Sequence, residues 1–226
     1  LFGNSLNLSL TKLRLFSIRY FVDTLTATRY LVNADPDLAK IIRKVGSCTL
    51  KPDKSRTIFA SLVKSIVYQQ LTGKVAAVIF SRLLGLFPEK RFPSPENILS
   101  ISIERLRSAG LSYQKANYIQ NIAQASIDGI IPQTRVANRM TNQQLVSQLT
   151  SIKGVGIWTV EMLLIFKLGR LDVLPVNDYG VQKGFALMKC LDKHPKPKEL
   201  VVAGNCWSPY RTVATWYLWQ AADTID

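Results

Sequence analysis

Between Lys54 and Phe87 the chain carries no proline, and its apolar residues recur every four positions: Ile58, Leu62 and Ile66 in one row, Phe59, Val63 and Val67 in the next. Val75, Val78, Ile79 and Leu83 resume the pattern after a break. A helix places residues three and four apart on one face, so the stretch predicts two helices joined near Gln70-Leu71-Thr72-Gly73. Upstream, Asn33-Ala34-Asp35-Pro36-Asp37 reads as a helix start, with Leu38, Ile41 and Ile42 as its buried face. Downstream, Pro88, Pro93 and Pro95 punctuate the chain before short helices expected over 96–100, 102–109, 114–128 and 141–150. Gly110 and Gly129 stand where helix ends favour glycine. Further helices are expected over 179–190 and 198–203, and a last one starting near Ser208-Pro209. Strand-type alternation is nowhere sustained. The pattern predicts an all-α chain of about ten short helices with no internal repeat.

Length and composition fit one large domain or two small lobes with a real core. The 226 residues are 47% apolar and 19% charged. Charge is what sets the chain apart: 29 Lys and Arg against 15 Asp and Glu give +14 and a pI near 9.9. Such an excess points to a polyanionic partner. No apolar run is long enough to span a bilayer, so no membrane partner is expected. Cys48, Cys190 and Cys206 have no metal-site spacing and no even count, which speaks against a zinc site or a disulfide framework and for a reducing, intracellular setting.

Residues 1–30 hold Lys12, Arg14, Arg19 and Arg29 against Asp23 alone, among many Ser, Thr and Leu. They read as an N-terminal extension, either an organelle-targeting segment or sequence translated from upstream. They account for +3, so +11 of the +14 remains with residues 31–226, taken as the domain proper.

Chemistry concentrates in Leu149–Lys183. Gly154-Val155-Gly156 lies between two expected helices, where several backbone N–H groups lack an intrahelical acceptor and the helix dipole favours an anion. Lys153 adds charge beside it. A tight turn between helices uses the same glycines, and the motif alone does not decide. Asp178 ends a Pro-interrupted loop, where a carboxylate is equally a helix N-cap and a candidate acid–base or electrostatic group.

Four ordered motifs together resemble one family. Ile152-Lys153-Gly154-Val155-Gly156-Ile157-Trp158-Thr159, followed by Glu161-Met162, is similar to the helix-hairpin-helix of DNA glycosylases of the 3-methyladenine glycosylase II type. Leu171-Asp172-Val173-Leu174-Pro175-Val176-Asn177-Asp178 resembles the family's acidic loop. Ser65 to Lys74 resembles its Gln-Gln segment, and Trp207 to Trp219 its C-terminal helix. The likeness runs over about residues 35–224, with the hairpin at about 141–167, and the size suits the small fungal Mag-type members.

The resemblance implies two helical lobes with a base-binding cleft, and a monofunctional enzyme that flips and excises alkylated purines such as 3-methyladenine and 7-methylguanine. Asp178 would be the catalytic carboxylate. Trp158, Met162, Trp219 and Tyr68 would line the base pocket, Met162 standing where the bacterial relative has Tyr. Gln70 or Leu71 would be the wedge that fills the gap left by the flipped nucleotide. Lys74, Lys153, Gly154, Gly156 and Thr159 would contact DNA, with Lys167 and Lys183 as further phosphate candidates. Carbonyls of Thr150, Ile152 and Val155 would hold a monovalent cation, Na+ or K+, the one ion implied; no redox or other cofactor is. Trp158 replaces the lysine with which related lyases form a Schiff base, so strand cleavage is not expected. His194 reads as loop. The partner would be double-stranded DNA with alkylated bases or abasic sites, bound by a monomer in a nucleus or a bacterial cytoplasm. The competing implication is a glycosylase homologue that recognises damaged or abasic DNA without excising a base.

Overall fold

The computed structural model describes residues 24–88 and 92–224. Residues 1–23 of the expected extension lie outside them. The described chain is helical and folds as two compact units: Lys51–Arg170, and a second formed by the flanking segments up to Leu50 and from Leu171. No described helix is long and apolar enough to cross a membrane.

The flanking unit begins with α1, residues 24–34, a helix that the composition of the first thirty residues gave no reason to expect. Ala27 and Leu31 bury fully in its core. Helix α2 (Pro36–Val45) starts as the sequence predicts: Asp35 accepts the N–H groups of Asp37 and Leu38, and Pro36 takes the first helical position, where a missing N–H costs nothing. Asp35 is itself buried, and its second oxygen accepts the indole N–H of buried Trp207 at 3.0 Å. Lys189 answers that carboxylate and Asp37 with its ammonium group. Burial pushes Lys189 down, but its hydrogen bond to Asp37 and the two negative charges outweigh this and raise its pKa.

Helix α11 (Tyr179–Met188) packs on α13 (Arg211–Thr224). A Cβ at Gly184 would come within 2.0 Å of the Leu218 carbonyl oxygen, so the two backbones touch where only glycine allows it. Between them in sequence lie α12 (Pro197–Ala203) and a 3-10 turn (Gly204–Trp207). The last helix starts at Arg211 rather than at the expected Ser208-Pro209, whose peptide bond is cis. The cap there is Asp172, which accepts the Arg211 N–H at 3.3 Å.

The central unit holds α3 (Ile58–Tyr68), α4 (Gly73–Gly85), α5 (Pro95–Leu99), α6 (Ile103–Arg107), α7 (Tyr113–Ile127), α8 (Thr134–Ala137), α9 (Asn142–Leu149) and α10 (Ile157–Phe166). The two rows read from the sequence in α3 are buried in full, and α7 and α10 pack against that helix. Ser94, Ser102, Ser112 and Thr141 each cap the helix that follows, which is why so short a set of helices has defined starts.

Candidate functional site

In the flanking unit everything converges on α13. Arg211 grips Asp172 through two hydrogen bonds of 2.7 Å, and this charged pair holds the Asp172 carboxyl below the usual carboxylate range. Thr212 accepts the Val173 N–H, and Thr215 donates to the Val173 carbonyl. The loop that leads to Asp178 is thus fastened at its start. Its end is fastened too: Asp178 caps α11, accepting the Val181 N–H at 2.9 Å, and the same Oδ1 accepts the Trp219 indole N–H at 2.8 Å. The pocket-wall role expected for Trp219 gave no sign of this hydrogen bond. Gly180 makes it possible, since a Cβ there would sit 2.9 Å from the Trp219 ring and 3.2 Å from Asp178 Oδ1. Asp178 is half-buried, and Tyr179 beside it is exposed. His194, taken as a loop residue, lies with its ring 5.0 Å from that of Tyr179.

In the central unit the hairpin joins α9 to α10. Gly154 has φ +102, a conformation that disfavours any side chain, and a Cβ would fall 2.2 Å from the Tyr118 ring. Gly156 is different. It has an extended backbone (φ −92), nothing within 4 Å of where a Cβ would be, and an exposed position as the N-cap of α10, with no side-chain cap bond. Glycine at 154 answers to the fold; at 156 no neighbour among the described residues demands it. Lys153 and Ile157 are exposed on either side. The Ile152 carbonyl accepts the Val155 N–H at 2.9 Å, closing the turn.

Trp158 and Met162 are one turn apart on α10, the tryptophan half-buried and the methionine buried. Thr159, expected at the DNA surface, is only 1% exposed, and its hydroxyl accepts from Gln69 at 3.0 Å. At that burial neither its side chain nor its main chain is open to a ligand. Tyr68 ends α3 with its ring against Phe80 and under the Lys64 ammonium. Gln70 has φ +55, and it is exposed with Leu71 and Thr72 in the turn between α3 and α4, as are Gly73 and Lys74 at the start of α4. Two lysines expected at phosphates do other work. Lys167 is buried and donates to the Lys54 carbonyl, and burial lowers its pKa. Lys183 donates to the Ala222 carbonyl in the last turn of α13, where a cation suits the free carbonyls.

This arrangement has known counterparts. Residues 63–208 match the family described as HhH-GPD superfamily base excision DNA repair protein. DNA-3-methyladenine glycosylase 1 of Schizosaccharomyces pombe is 35% identical over 200 residues, which is 87% of each chain. The chain belongs to the HhH-GPD superfamily. A second S. pombe member, alkylbase DNA glycosidase-like protein mag2, is 31% identical over 86% of this chain and 92% of its own. Among solved HhH-GPD structures, the S. pombe 3-methyladenine DNA glycosylase (Mag1) in complex with abasic DNA superposes with a TM-score of 0.81, at 35% identity, over 86% of this chain and 95% of that one. The DNA-3-methyladenine glycosidase of Bacillus halodurans gives 0.74 at 36% identity, over 88% and 89%.

Three residues of this HhH-GPD chain that sequence reasoning passed over shape the two sites. Gly180 admits Trp219 to Asp178. Gln69, one residue before the expected wedge pair, ties its turn to α10. Lys115 on α7 donates to the carbonyls of Val67 and Gln69 at 2.9 and 2.7 Å, and burial lowers its pKa. The only sequence signal for these was proximity to a motif for the first two, and a lone cation in an otherwise uncharged helix for the third.

Proposed function

We propose that this protein is a monofunctional DNA glycosylase that excises alkylated purines, 3-methyladenine and 7-methylguanine among them, from double-stranded DNA in base excision repair. The observation that carries it is Asp178: a carboxylate at a helix start, with one oxygen fixed by both the Val181 N–H and the Trp219 indole N–H. Breaking the bond between C1′ and the base nitrogen leaves positive charge on the sugar. A carboxylate oriented in advance stabilises that charge and can align the water whose oxygen bonds to C1′. An alkylated purine is already cationic, so it departs with the bonding electron pair as a neutral base, and no strong acid has to protonate it.

The remaining roles follow. Main-chain amides at Gly154 and Gly156 meet a phosphate, with Lys153 and Lys74 as flanking charges. Backbone carbonyls of Thr150, Ile152 and Val155 would hold a monovalent cation. Trp158, Met162 and Tyr68 offer faces to an extruded base, where stacking gains roughly 1–3 kcal/mol against an extrusion cost of a few. Trp219 is a stacking face of the unit that carries Asp178. Gln70 or Leu71 enters the vacated stack. With tryptophan at 158, no amine there attacks the sugar, and the product strand stays intact. The protein acts as a monomer, in the nucleus if its source is a eukaryote.

The test is release of free base from a duplex containing 7-methylguanine, followed by chromatography. The native protein should release base without breaking the strand, and Asp178→Asn should release it at least about a hundredfold more slowly while still binding abasic DNA. Tight abasic-site binding without release by the native protein would replace excision with recognition. Strand breaks in the absence of alkali would overturn the monofunctional assignment.

A further inference from the structure

We propose that Lys115, Tyr118 and Asn121, three residues apart along one face of α7, act as a ruler that fixes the turn Gln69–Thr72 relative to the hairpin, and that this fixed spacing sets the preference for DNA lacking a stacked base over intact duplex. The inference rests on the functional reading above, because it takes the turn as the probe of the stack and the hairpin as the phosphate grip.

The three side chains hold different things. Lys115 donates to Val67 and Gln69, two carbonyls at the C-terminal end of α3, where the helix dipole welcomes a cation. The Tyr118 ring fills the space beside Gly154. Asn121 donates its amide to the Lys153 carbonyl at 3.2 Å. From Lys115 to Asn121 the helix rises about 9 Å, so one rigid element carries both functional turns. The link is doubled by Gln69, whose side chain bonds Thr159 in the first turn of α10, the helix the hairpin opens.

Gln70 shows what the ruler achieves. A left-handed φ of +55 on a residue with a long side chain costs energy, and persists only where the surroundings over-determine it. Here they do: the carbonyl before it is held by Lys115 and the side chain before it by Thr159. A phosphate grip alone binds any duplex. If the probing turn is held at a set distance from the grip, it meets a gap in the stack only where a base is missing or extruded, and an intact stack offers it no such space.

The experiment measures binding by fluorescence anisotropy to a duplex with a tetrahydrofuran abasic analogue and to the same duplex intact. The native protein should favour the abasic duplex. Lys115→Met should weaken abasic binding about tenfold, as loss of two bonds from a charged donor implies, while intact-duplex binding stays within about twofold because the hairpin is untouched. Lys115→Arg, which keeps charge and donors, should recover most of the preference. Gln69→Met, which removes the Thr159 bond alone, should lower it about fivefold, and it carries the test by itself if Lys115→Met fails to fold. A cap that merely stabilises α3 would lower the melting temperature and leave the ratio of the two affinities unchanged. That unchanged ratio in both Met variants would overturn the ruler with the glycosylase reading intact. No preference in the native protein would overturn the ruler, and base release from the 7-methylguanine duplex would then decide the glycosylase reading separately.

Discussion

In the unit that carries Asp178 the proposed working group is a side chain; in the unit that carries the hairpin the working groups belong to the main chain. Each is positioned by a single helix, but by different means. Helix α13 offers Arg211, Thr212, Thr215 and Trp219, and these bond the acidic loop at its start and at the carboxylate itself. Helix α7 holds carbonyls and packs a ring against a glycine. A carboxylate can be aimed by donors that touch it, and such donors polarise it as well. A main-chain amide can be aimed only by setting the backbone, so the hairpin is governed by what its residues lack: a side chain at Gly154 and a cap at Gly156.

The sharpest way to break the comparison is to change those two glycines in turn. Gly154→Ala has to place a Cβ against Tyr118 at a φ that L residues avoid, and each fault costs about 1–3 kcal/mol. Thermal unfolding should show a loss of several kcal/mol, and DNA binding should fall with it. Gly156→Asp should separate the two quantities. Its backbone is extended and the space around it open, so an aspartate there can cap α10 and raise stability by a few tenths of a kcal/mol. The same charge opposes a phosphate, so binding to every duplex should weaken by tenfold or more. Equal DNA affinity in native and Gly156→Asp proteins would remove the hairpin from the binding surface.

That contrast also marks how much could be read in advance. Helix positions from α2 to α7 and from α9 to α12 were legible because burial imposes the helical period and because serine, threonine and proline mark the starts; α8, only four residues long, was not expected. Membership of the HhH-GPD superfamily was legible in four motifs. Less of the site was. Lys153 and Lys167 look alike in sequence, yet one is exposed and the other is buried on the Lys54 carbonyl. Thr159 sits inside a binding motif and points inward to Gln69. Helix α1 was hidden because a basic, Ser- and Thr-rich composition masks a short run in which Ala27 and Leu31 face a core. Local pattern reports periodicity and caps; it does not report which long side chain folds back on a distant carbonyl.

A smaller effect is expected where Trp219 meets Asp178. Trp219→Phe keeps an aromatic face for stacking and removes the N–H that bonds Oδ1, while the Val181 N–H bond to the same oxygen stays. Turnover should fall about tenfold in single-turnover assays, the worth of one hydrogen bond to a charged acceptor, with abasic-DNA affinity little changed. If Trp219 served only as a stacking wall, Phe would substitute for it and turnover would hold.

The smallest effect concerns the far end of the same helix, and its sign depends on pH. The Arg211 guanidinium holds the Asp172 carboxyl below the usual range, so the folded protein resists protonation there more than the unfolded chain does. Stability from this pair is therefore fully present above the unfolded carboxylate value of about 4, and is lost as pH falls through the lower folded value. Asp172→Asn should cost about 1 kcal/mol at neutral pH, a modest figure because both groups are about a third exposed. Its stability should also fall less steeply than the native protein's on acidification below pH 4. Parallel acid limbs in denaturant titrations of the two proteins would show that α13 needs no charge at its start to hold the acidic loop, and would leave the Thr212 and Thr215 bonds to Val173 as its anchor.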